Sequence, residues 1–129
     1  MIVNEPEIAA HALAVVEKLW GKEFVIVNTE LYCYKLLKVN PGYVCSIHCH
    51  KKKDETFFGI MGTLRLNIHR ADGSVQDVHA IHPGQRYRIL PKVWHSFQAV
   101  NTSWVAEIST HHDDKDVMRK EESRRLNGA

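Results

Sequence analysis

Short segments separated by turn-forming residues fill most of this chain and limit the folds that it can adopt. Between Glu23 and Thr110 these segments are rich in Val, Ile, Tyr, Phe and Leu, and clusters of Asn, Asp, Pro, Gly and Ser separate them. Asp72-Gly73 is a strong hairpin signal between residues 64–69 and 75–81. With about eight or nine strands and no long helix in this region, the pattern predicts a β-sandwich or a small barrel.

The segments on either side of this region have different patterns. Residues 5–19 have helical periodicity, with Asn4 or Glu5 as the cap and Trp20-Gly21 as the stop. Their apolar stripe comprises Ile8, Ala12, Val15, Val16 and Leu19. Residues 112–125 are mostly charged, which predicts a solvated terminal helix or tail.

The length and composition of the chain fit one globular domain. Its 129 residues lie within the usual range for a domain, and 44% hydrophobic with 25% charged residues disfavours disorder. We expect a single domain over residues 1–129. It would consist of an N-terminal helical segment (1–22), a β-barrel (23–110) and a charged tail (111–129).

Charge and cysteine content indicate which partners and which cellular compartment to expect. A formal net charge of +2 gives no reason to expect a nucleic-acid or membrane partner. No apolar run approaches the ~20 residues of a membrane span, and the first residues lack a signal-peptide pattern, so we expect a cytoplasmic protein. Cys33, Cys45 and Cys49 are an odd number, which favours buried free thiols, with zinc binding by Cys45-x-x-x-Cys49 as an alternative.

Histidine is the one over-represented residue type, with nine in the chain. His48 and His50 are two positions apart on a predicted strand and therefore share a face. Glu55 can rejoin them from the next strand after a tight turn, and His95 follows Pro91 near the start of a later strand. Three imidazoles and one carboxylate suit a divalent first-row metal, with Mn²⁺ expected and Zn²⁺, Fe²⁺ or Ni²⁺ as alternatives. We expect the other six histidines at surface or turn positions, with His112 able to line the mouth of a site.

Residues 42–62 resemble the first cupin motif, Gly-x5-His-x-His-x4-Glu-x6-Gly, and match it without a gap. The second cupin motif is matched in part, by Gly84, Pro91, His95 and Asn101. Its Pro-to-His spacing is one residue short here, and its internal Gly is missing. The resemblance implies an all-β double-stranded β-helix, the cupin jelly-roll barrel, with the metal inside.

A finer resemblance points to D-lyxose isomerases. His48-x-His50-x-x-Lys53-x-Glu55 resembles their motif, in which a Lys lies two residues before the ligand Glu. Residues 107–119 resemble their Glu-Val-Ser-x-x-Asn-Asp-Asp segment with a following Arg. The resemblance implies a metal-dependent aldose–ketose isomerase that works through a cis-enediol, with Lys53 and Glu107 as the acid/base candidates.

The roles of these two residues depend on where their side chains point. Glu107 would be the base that reaches the carbon-bound proton. If the alternating apolar set Trp104, Ala106 and Ile108 faces the interior, Glu107 points outward instead. Lys53 would exchange a proton with the sugar oxygens or neutralise the enediolate charge, unless Lys51-Lys52-Lys53-Asp54 is only a solvated turn.

The cupin domain of type II mannose-6-phosphate isomerases is the second resemblance, through residues 16–21 and Lys35, a further possible site lysine. That family commonly has Gln at the position of His48, which favours the lyxose-isomerase type. Dispersed basic residues favour a free sugar over a sugar phosphate. A sugar phosphate remains an alternative substrate because three arginines could bind its phosphate: Arg86, Arg88 and Arg119. A metal-dependent oxygenase and a non-catalytic sugar-binding cupin remain alternatives. We expect a homodimer formed through the N-terminal helix or the first strand.

Overall fold

The computed structural model describes residues 3–126 of the chain. One α-helix, α1 (Glu5–His11), precedes the strands, and one 3₁₀ turn, η1 (Asp114–Asp116), lies near the end of this part. The strands of this part are β1 Ala14–Lys18, β2 Gly21–Asn28, β3 Cys33–Val39, β4 Tyr43–Val44, β5 Ile47–His50, β6 Glu55–Met61, β7 Leu64–His69, β8 Val75–Ile81, β9 Arg86–Ile89, β10 His95–Ala99, β11 Ser103–Ser109, β12 Val117–Glu121 and β13 Arg124–Arg125.

These strands form two main antiparallel sheets that pack face to face. One sheet has the order β1-β2-β3-β11-β6-β9, the other has the order β12-β5-β10-β7-β8, and β13 pairs with β4 in a two-stranded ribbon. Two such sheets packed around one core form a jelly-roll barrel. The expected all-β fold is therefore confirmed. Within residues 3–126, no helix is long and apolar enough to cross a membrane.

The apolar core lies between the two sheets, because alternate side chains of each strand point inward. In β3, for example, buried and partly exposed residues alternate along the whole strand. Phe97 of β10 contacts the rings of Trp20 and Phe57 edge-on, with centroid distances of 5.0 and 5.8 Å. The three cysteines are free and buried, as expected.

The predicted hairpin at Asp72-Gly73 is confirmed. It connects β7 to β8, which pair antiparallel from Leu64 opposite Ile81. Asp72 Oδ1 accepts a hydrogen bond of 2.8 Å from the backbone N of Ser74, and Gly73 has a φ of 91°. Glycine adopts this left-handed conformation without a Cβ clash, which is why the dipeptide forms the turn.

The N-terminal helix prediction over residues 5–19 is wrong beyond His11. Residues 14–18 form strand β1, which pairs with β2 from Ala14 opposite Val25 to Lys18 opposite Gly21. The β-branched pair Val15-Val16 favours a strand, and the backbone of β2 offers it a partner along its whole length. The predicted stripe is not a buried helix face, because Leu19 is 55% exposed.

The predicted C-terminal helix is also wrong within the described residues. The segment contains η1 and two strands, and β12 pairs with β5, with Val117 opposite His50 and Arg119 opposite His48. Backbone pairing with the edge of a sheet does not require apolar side chains. The charged composition of this segment therefore gave no indication of a strand. Residues 1–2 and 127–129 of the two predicted terminal segments lie outside the described residues. The predicted barrel region contains ten strands, β2 to β11, rather than eight or nine. The additional strands include β4, which has only two residues and is too short to be predicted from an alternating pattern.

Candidate metal centre and active site

Three histidines meet between the two sheets. His48 and His50 lie on β5, and His95 begins β10, where it pairs directly opposite His48. One ring nitrogen from each histidine lies within 4.8 Å of the other two. These three side chains form a possible metal site, because imidazole nitrogens are common ligands of divalent first-row metals.

Backbone carbonyls orient two of the three rings. Nδ1 of His48 lies 2.8 Å from the carbonyl oxygen of Ser46, and Nδ1 of His95 lies 2.8 Å from that of Val93. A carbonyl oxygen only accepts hydrogen bonds, so each Nδ1 carries the proton of its hydrogen bond. This arrangement is typical of metal-binding histidines, whose second nitrogen is held by a hydrogen bond.

The donor set passes a second test for a metal. Buried side-chain polar atoms almost always have a hydrogen-bond partner, because leaving one unpaired is costly. Among residues 3–126, the buried side-chain nitrogen and oxygen atoms without such a partner are His50 Nδ1, His95 Nε2 and Glu55 Oε2. All three belong to the four predicted ligands, and a cation bound among them would satisfy these atoms.

Burial keeps His48 and His50 in the form that binds metal. Desolvation, followed by the neighbouring His95, lowers the pKa of His48 well below its usual value. Desolvation also lowers the pKa of His50, to about 4. Neutral imidazole is the metal-binding form, so these side chains need not lose a proton at neutral pH before they bind an ion.

Glu55 begins β6 and is 2% exposed. Its Oε1 lies 3.0 Å from Nε2 of His95, and its Oε2 lies 3.7 Å from Nε2 of His50 and 3.2 Å from Nζ of Lys53. Burial alone would raise the pKa of Glu55, but the contact with His95 and the charge of Lys53 outweigh it and hold that pKa well below its usual value. An ionised carboxylate therefore lies beside two of the histidines.

Lys53 and Glu107 form a buried ion pair next to this cluster. Nζ of Lys53 donates a hydrogen bond of 2.8 Å to Oε2 of Glu107. Burial alone would lower the pKa of Lys53, but Glu107 and Glu55 together raise it, so Lys53 is a buried cation. Glu107 lines the same cavity as His48 and His50.

The alternative orientation of β11, with Glu107 pointing outward, is not the one observed. Glu107 is 6% exposed and Ile108 is 48% exposed. Trp104 and Ala106 are buried without facing the cavity, and Trp104 stacks on Phe24 at a centroid distance of 5.6 Å. Because both faces of β11 are covered at these positions, the alternation of apolar residues did not indicate which face lines the cavity.

The cavity has a volume of about 560 Å³, and acidic side chains in its lining balance the basic ones. Lys35, which is 3% exposed, lies with its Nζ 3.3 Å from Oε1 of Glu23. Arg119 also lines the cavity, whereas Arg86 lines a separate one. Arg88 donates a hydrogen bond of 3.0 Å to Asp54 outside the site. Of the three arginines considered for a phosphate, the structure places one at the cavity.

The structure adds residues that the sequence motifs do not include. His112 and Asp114 line the cavity, and Nδ1 of His112 lies 3.2 Å from Nζ of Lys53. Their segment was predicted to be a solvated terminal helix or tail, and only the position of His112 after the last predicted strand indicated a place at the mouth. Cys45 lines the cavity together with Ser46, because the chain between β4 and β5 is not regular strand and the alternation of side chains breaks there.

Comparisons with known proteins give the family. No protein-family model matches the chain. A curated D-lyxose/D-mannose isomerase from Thermosediminibacter oceani is 32% identical to this chain, in an alignment that covers 84% of this chain and 72% of that protein. The chain belongs to the family of this isomerase. Its membership agrees with the resemblance found in the His48 to Glu55 motif.

Similar solved structures confirm that this chain has the cupin fold. An oxalate decarboxylase variant from Bacillus subtilis superposes with a TM-score of 0.71 at 16% identity, over 83% of this chain. The chain spans only 30% of the length of that decarboxylase. KdgF from Halomonas sp. superposes with a TM-score of 0.65 at 15% identity, over 79% of this chain and 89% of its own. The Bacillus subtilis decarboxylase contains Mn(II) centres.

Proposed function

We propose that the protein is a metal-dependent aldose–ketose isomerase of an uncharged sugar such as D-lyxose or D-mannose. The observation that supports this most is the convergence of three histidines and the buried Glu55 beside an ion pair of Lys53 and Glu107. The reaction needs both parts, because a cation must hold two sugar oxygens while a base moves a carbon-bound proton. The related D-lyxose/D-mannose isomerase supports the substrate class.

His48, His50, His95 and Glu55 are the residues that would hold the ion. The expected ion is Mn²⁺, with Zn²⁺, Fe²⁺ and Ni²⁺ as alternatives that the same donor set accepts. When bound, such an ion supplies positive charge that polarises the O1 and O2 oxygens of the sugar. The carbonyls of Ser46 and Val93 fix the rings that present the ligand nitrogens.

Glu107 is the proposed base. Its Oε2 is held by Lys53, and within residues 3–126 its Oε1 has no hydrogen-bond partner in the protein. Oε1 would take the proton from C2 of the aldose and deliver it to C1. In a cis-enediol both carbons present the same face to one base, so a single carboxylate serves both half-reactions.

Lys53 is proposed to act as a fixed cation. Its ammonium lies against the carboxylates of Glu55 and Glu107, at 3.2 and 2.8 Å. As the proton leaves carbon, negative charge develops on the sugar oxygens, and a positive charge already in place stabilises it without reorganisation. The two carboxylate contacts support this role over removal of a proton by a neutral amine.

The charges of the cavity support an uncharged sugar over a sugar phosphate. A phosphate group is usually bound by arginine or lysine side chains that are available to donate several hydrogen bonds to it. Here Lys35 is paired with Glu23, and Lys53 is paired with Glu107. A phosphorylated substrate would have to break these pairs or rely on Lys18 and Arg119, which also line the cavity.

The test combines metal analysis with an isomerase assay. The purified protein is analysed for bound metal and is then incubated with lyxose, mannose and mannose 6-phosphate in deuterium oxide. We expect conversion of a free sugar to its ketose, with deuterium incorporated at the carbon that receives the proton. Glu107→Gln should keep the metal and lose turnover, whereas His48→Ala should lose the metal. A metal-loaded protein that forms no ketose and incorporates no deuterium would reject the proposal.

The same experiment separates the other candidate functions. Bound iron with oxygen-dependent turnover would indicate an oxygenase. Tight binding of a sugar without proton exchange would indicate a sugar-binding protein. Turnover of mannose 6-phosphate alone would indicate a phosphosugar isomerase.

A further inference from the structure

The loop that contains Lys53 is fixed by the segment that precedes β12. Oδ1 of Asp116 accepts a hydrogen bond of 3.0 Å from the backbone N of Lys52, and Oδ2 accepts one of 3.0 Å from that of Lys53. The backbone oxygen of Asp116 accepts a third, of 3.1 Å, from the N of Lys51. Asp116 therefore binds three consecutive backbone amides of the loop between β5 and β6.

The side chain of Lys53 is held from the same segment. Nζ of Lys53 lies 3.2 Å from Nδ1 of His112, and an ammonium group only donates hydrogen bonds. Nδ1 of His112 is therefore the acceptor, so its Nε2 carries the proton and donates it to Oδ1 of Asp114, 2.8 Å away. The Lys53 ammonium therefore determines which atoms donate and which accept in the two hydrogen bonds of the His112 ring.

The backbone of His112 is itself anchored. Its N donates a hydrogen bond of 3.0 Å to Oδ1 of Asn28, and its carbonyl oxygen accepts one of 3.1 Å from Nδ2 of the same side chain. The imidazole therefore projects from a fixed point at the end of β2 toward Lys53. Its position does not depend on Asp114 alone, which is 97% exposed.

We infer that residues 112–116 form a positioning segment for Lys53. His112 directs the ammonium between Glu55 and Glu107, and Asp116 fixes the backbone from which the side chain extends. Both are positioning residues, because they act on the reaction through Lys53. This inference rests on the proposed isomerase function, in which the placement of the Lys53 charge determines how well the enediolate is stabilised.

A pair of substitutions at His112 tests the acceptor. Leucine cannot accept a hydrogen bond, whereas the Oδ1 of asparagine extends about as far from the backbone as Nδ1 of histidine and can accept one. We expect His112→Leu to lower kcat about 10- to 100-fold with little change in KM, because a small displacement of a charged group has effects of this size. His112→Asn should retain most of the activity. Both should keep the wild-type metal content.

His111→Leu is the matched control. The neighbouring imidazole is exposed, and its Nδ1 lies 2.8 Å from the carbonyl oxygen of Thr29 rather than near the cavity. We expect wild-type kcat from this variant. Asp116→Ala provides a second variant if His112→Leu does not fold, since it frees the loop amides without changing the imidazole. It should also lower kcat, and Asp116→Asn should restore part of the loss.

A measurement that does not need activity follows the ammonium group directly. In protein labelled with ¹⁵N-lysine, the Lys53 ammonium should give a signal that exchanges slowly with water, identified by its loss in Lys53→Met. His112→Leu should accelerate this exchange or broaden the signal beyond detection. His112→Asn and His111→Leu should leave the signal close to that of the wild type.

The outcomes separate this inference from the proposed function. If His112→Leu keeps both wild-type turnover and the wild-type Lys53 signal, the positioning role is wrong. If folded His112→Asn loses as much as His112→Leu, the acceptor argument is wrong. A wild-type protein that isomerises no sugar, with the ammonium signal still dependent on His112, would reject the proposed function and keep the positioning of Lys53.

Discussion

Lys53 donates a 2.8 Å hydrogen bond to Glu107 from a position 54 residues earlier in the chain. Both side chains are buried, Lys53 in the loop before β6 and Glu107 within β11, and β6 and β11 are neighbouring strands. The pairing of these two strands is what brings the ammonium to the carboxylate. Removing either partner from such a buried pair leaves a charge without compensation, which has a large and measurable cost.

Lys53→Met should destabilise the protein strongly. The substitution leaves the carboxylates of Glu55 and Glu107 buried without their cation, and breaking a buried ion pair costs about 3–5 kcal/mol. The measurement is urea unfolding of the metal-free protein at pH 7. The double variant Lys53→Met/Glu107→Leu should recover part of the loss, because it removes one of the two unpaired charges.

Lys52→Met is the control for this experiment. Lys52 is the exposed neighbour in the same loop, and its substitution should change the free energy of unfolding by less than about 0.5 kcal/mol. A Lys53→Met protein as stable as the Lys52→Met protein would show that the pair does not contribute to stability.

Removal of a candidate metal ligand should abolish metal-dependent stability. A ligand that binds only the folded state raises the unfolding temperature, so a chelator should lower that temperature in the wild-type protein. His95→Ala should bind little metal and should show no shift with the chelator. His79→Ala is the matched control, since His79 lies against Tyr87 at a ring distance of 4.4 Å and lines a separate cavity. Full metal content in His95→Ala, measured by elemental analysis, would exclude His95 as a required ligand.

The part of the site that could be predicted from sequence is the part encoded by local spacing. His48 and His50 share a face because strand side chains alternate, and Glu55 follows one tight turn later. Strand β10 then begins with His95 directly opposite His48. A regular strand with a short turn therefore brings His48, His50 and Glu55 together locally, whereas His95 reaches them through the long-range pairing of β10 with β5.

The parts that could not be predicted depend on contacts distant in sequence. β1 and β12 are outer strands, and each is a strand because a neighbouring edge pairs with its backbone. Val15-Val16 is compatible with a helix or a strand, and residues 112–125 have no apolar pattern that distinguishes a strand from a tail. The contact of His112 with Lys53 spans 59 positions, so no local pattern indicated it.

Two glycines of the cupin motifs should respond differently to alanine. Gly62 and Gly84 both have positive φ angles, of 74° and 84°. A Cβ at Gly62 would lie 2.3 Å from the carbonyl oxygen of Thr102, whereas a Cβ at Gly84 would meet nothing within 4 Å. Gly84→Ala should therefore lower the free energy of unfolding only through the strain of a left-handed backbone at a residue with a Cβ, by about 1–2 kcal/mol.

Gly62→Ala should cost more, because it adds a clash with a backbone atom that has little freedom to move; we expect a total of about 3 kcal/mol or more. Chemical unfolding of the two variants under the same conditions measures the difference. Equal losses would mean that the turn after β6 shifts easily and that the approach of Gly62 to Thr102 is not a constraint.

The contact between α1 and the first sheet should make a pH-dependent contribution to stability. Oε1 of Glu5 accepts a hydrogen bond of 2.7 Å from Nζ of Lys38, and Oε2 lies 3.4 Å from Nζ of Lys22. The hydrogen bond from Lys38 is the main reason that the pKa of Glu5 lies below its usual value of 4.5. The folded protein therefore binds this proton less readily than the unfolded chain does.

The stabilisation is consequently present above pH 4.5 and is lost as the pH falls through the folded pKa of Glu5. Glu5→Gln should lower the free energy of unfolding at pH 7 by about 0.5–1 kcal/mol, a small value because the pair is partly exposed. The difference from the wild type should shrink toward zero in unfolding experiments at progressively lower pH below 4.5. Glu7→Gln, on the exposed side of the same helix, is the control, and its free energy of unfolding at pH 7 should be close to that of the wild type. A Glu5→Gln deficit that stayed constant from neutral to acidic pH would mean that the lost stability comes from packing rather than from the ionised carboxylate.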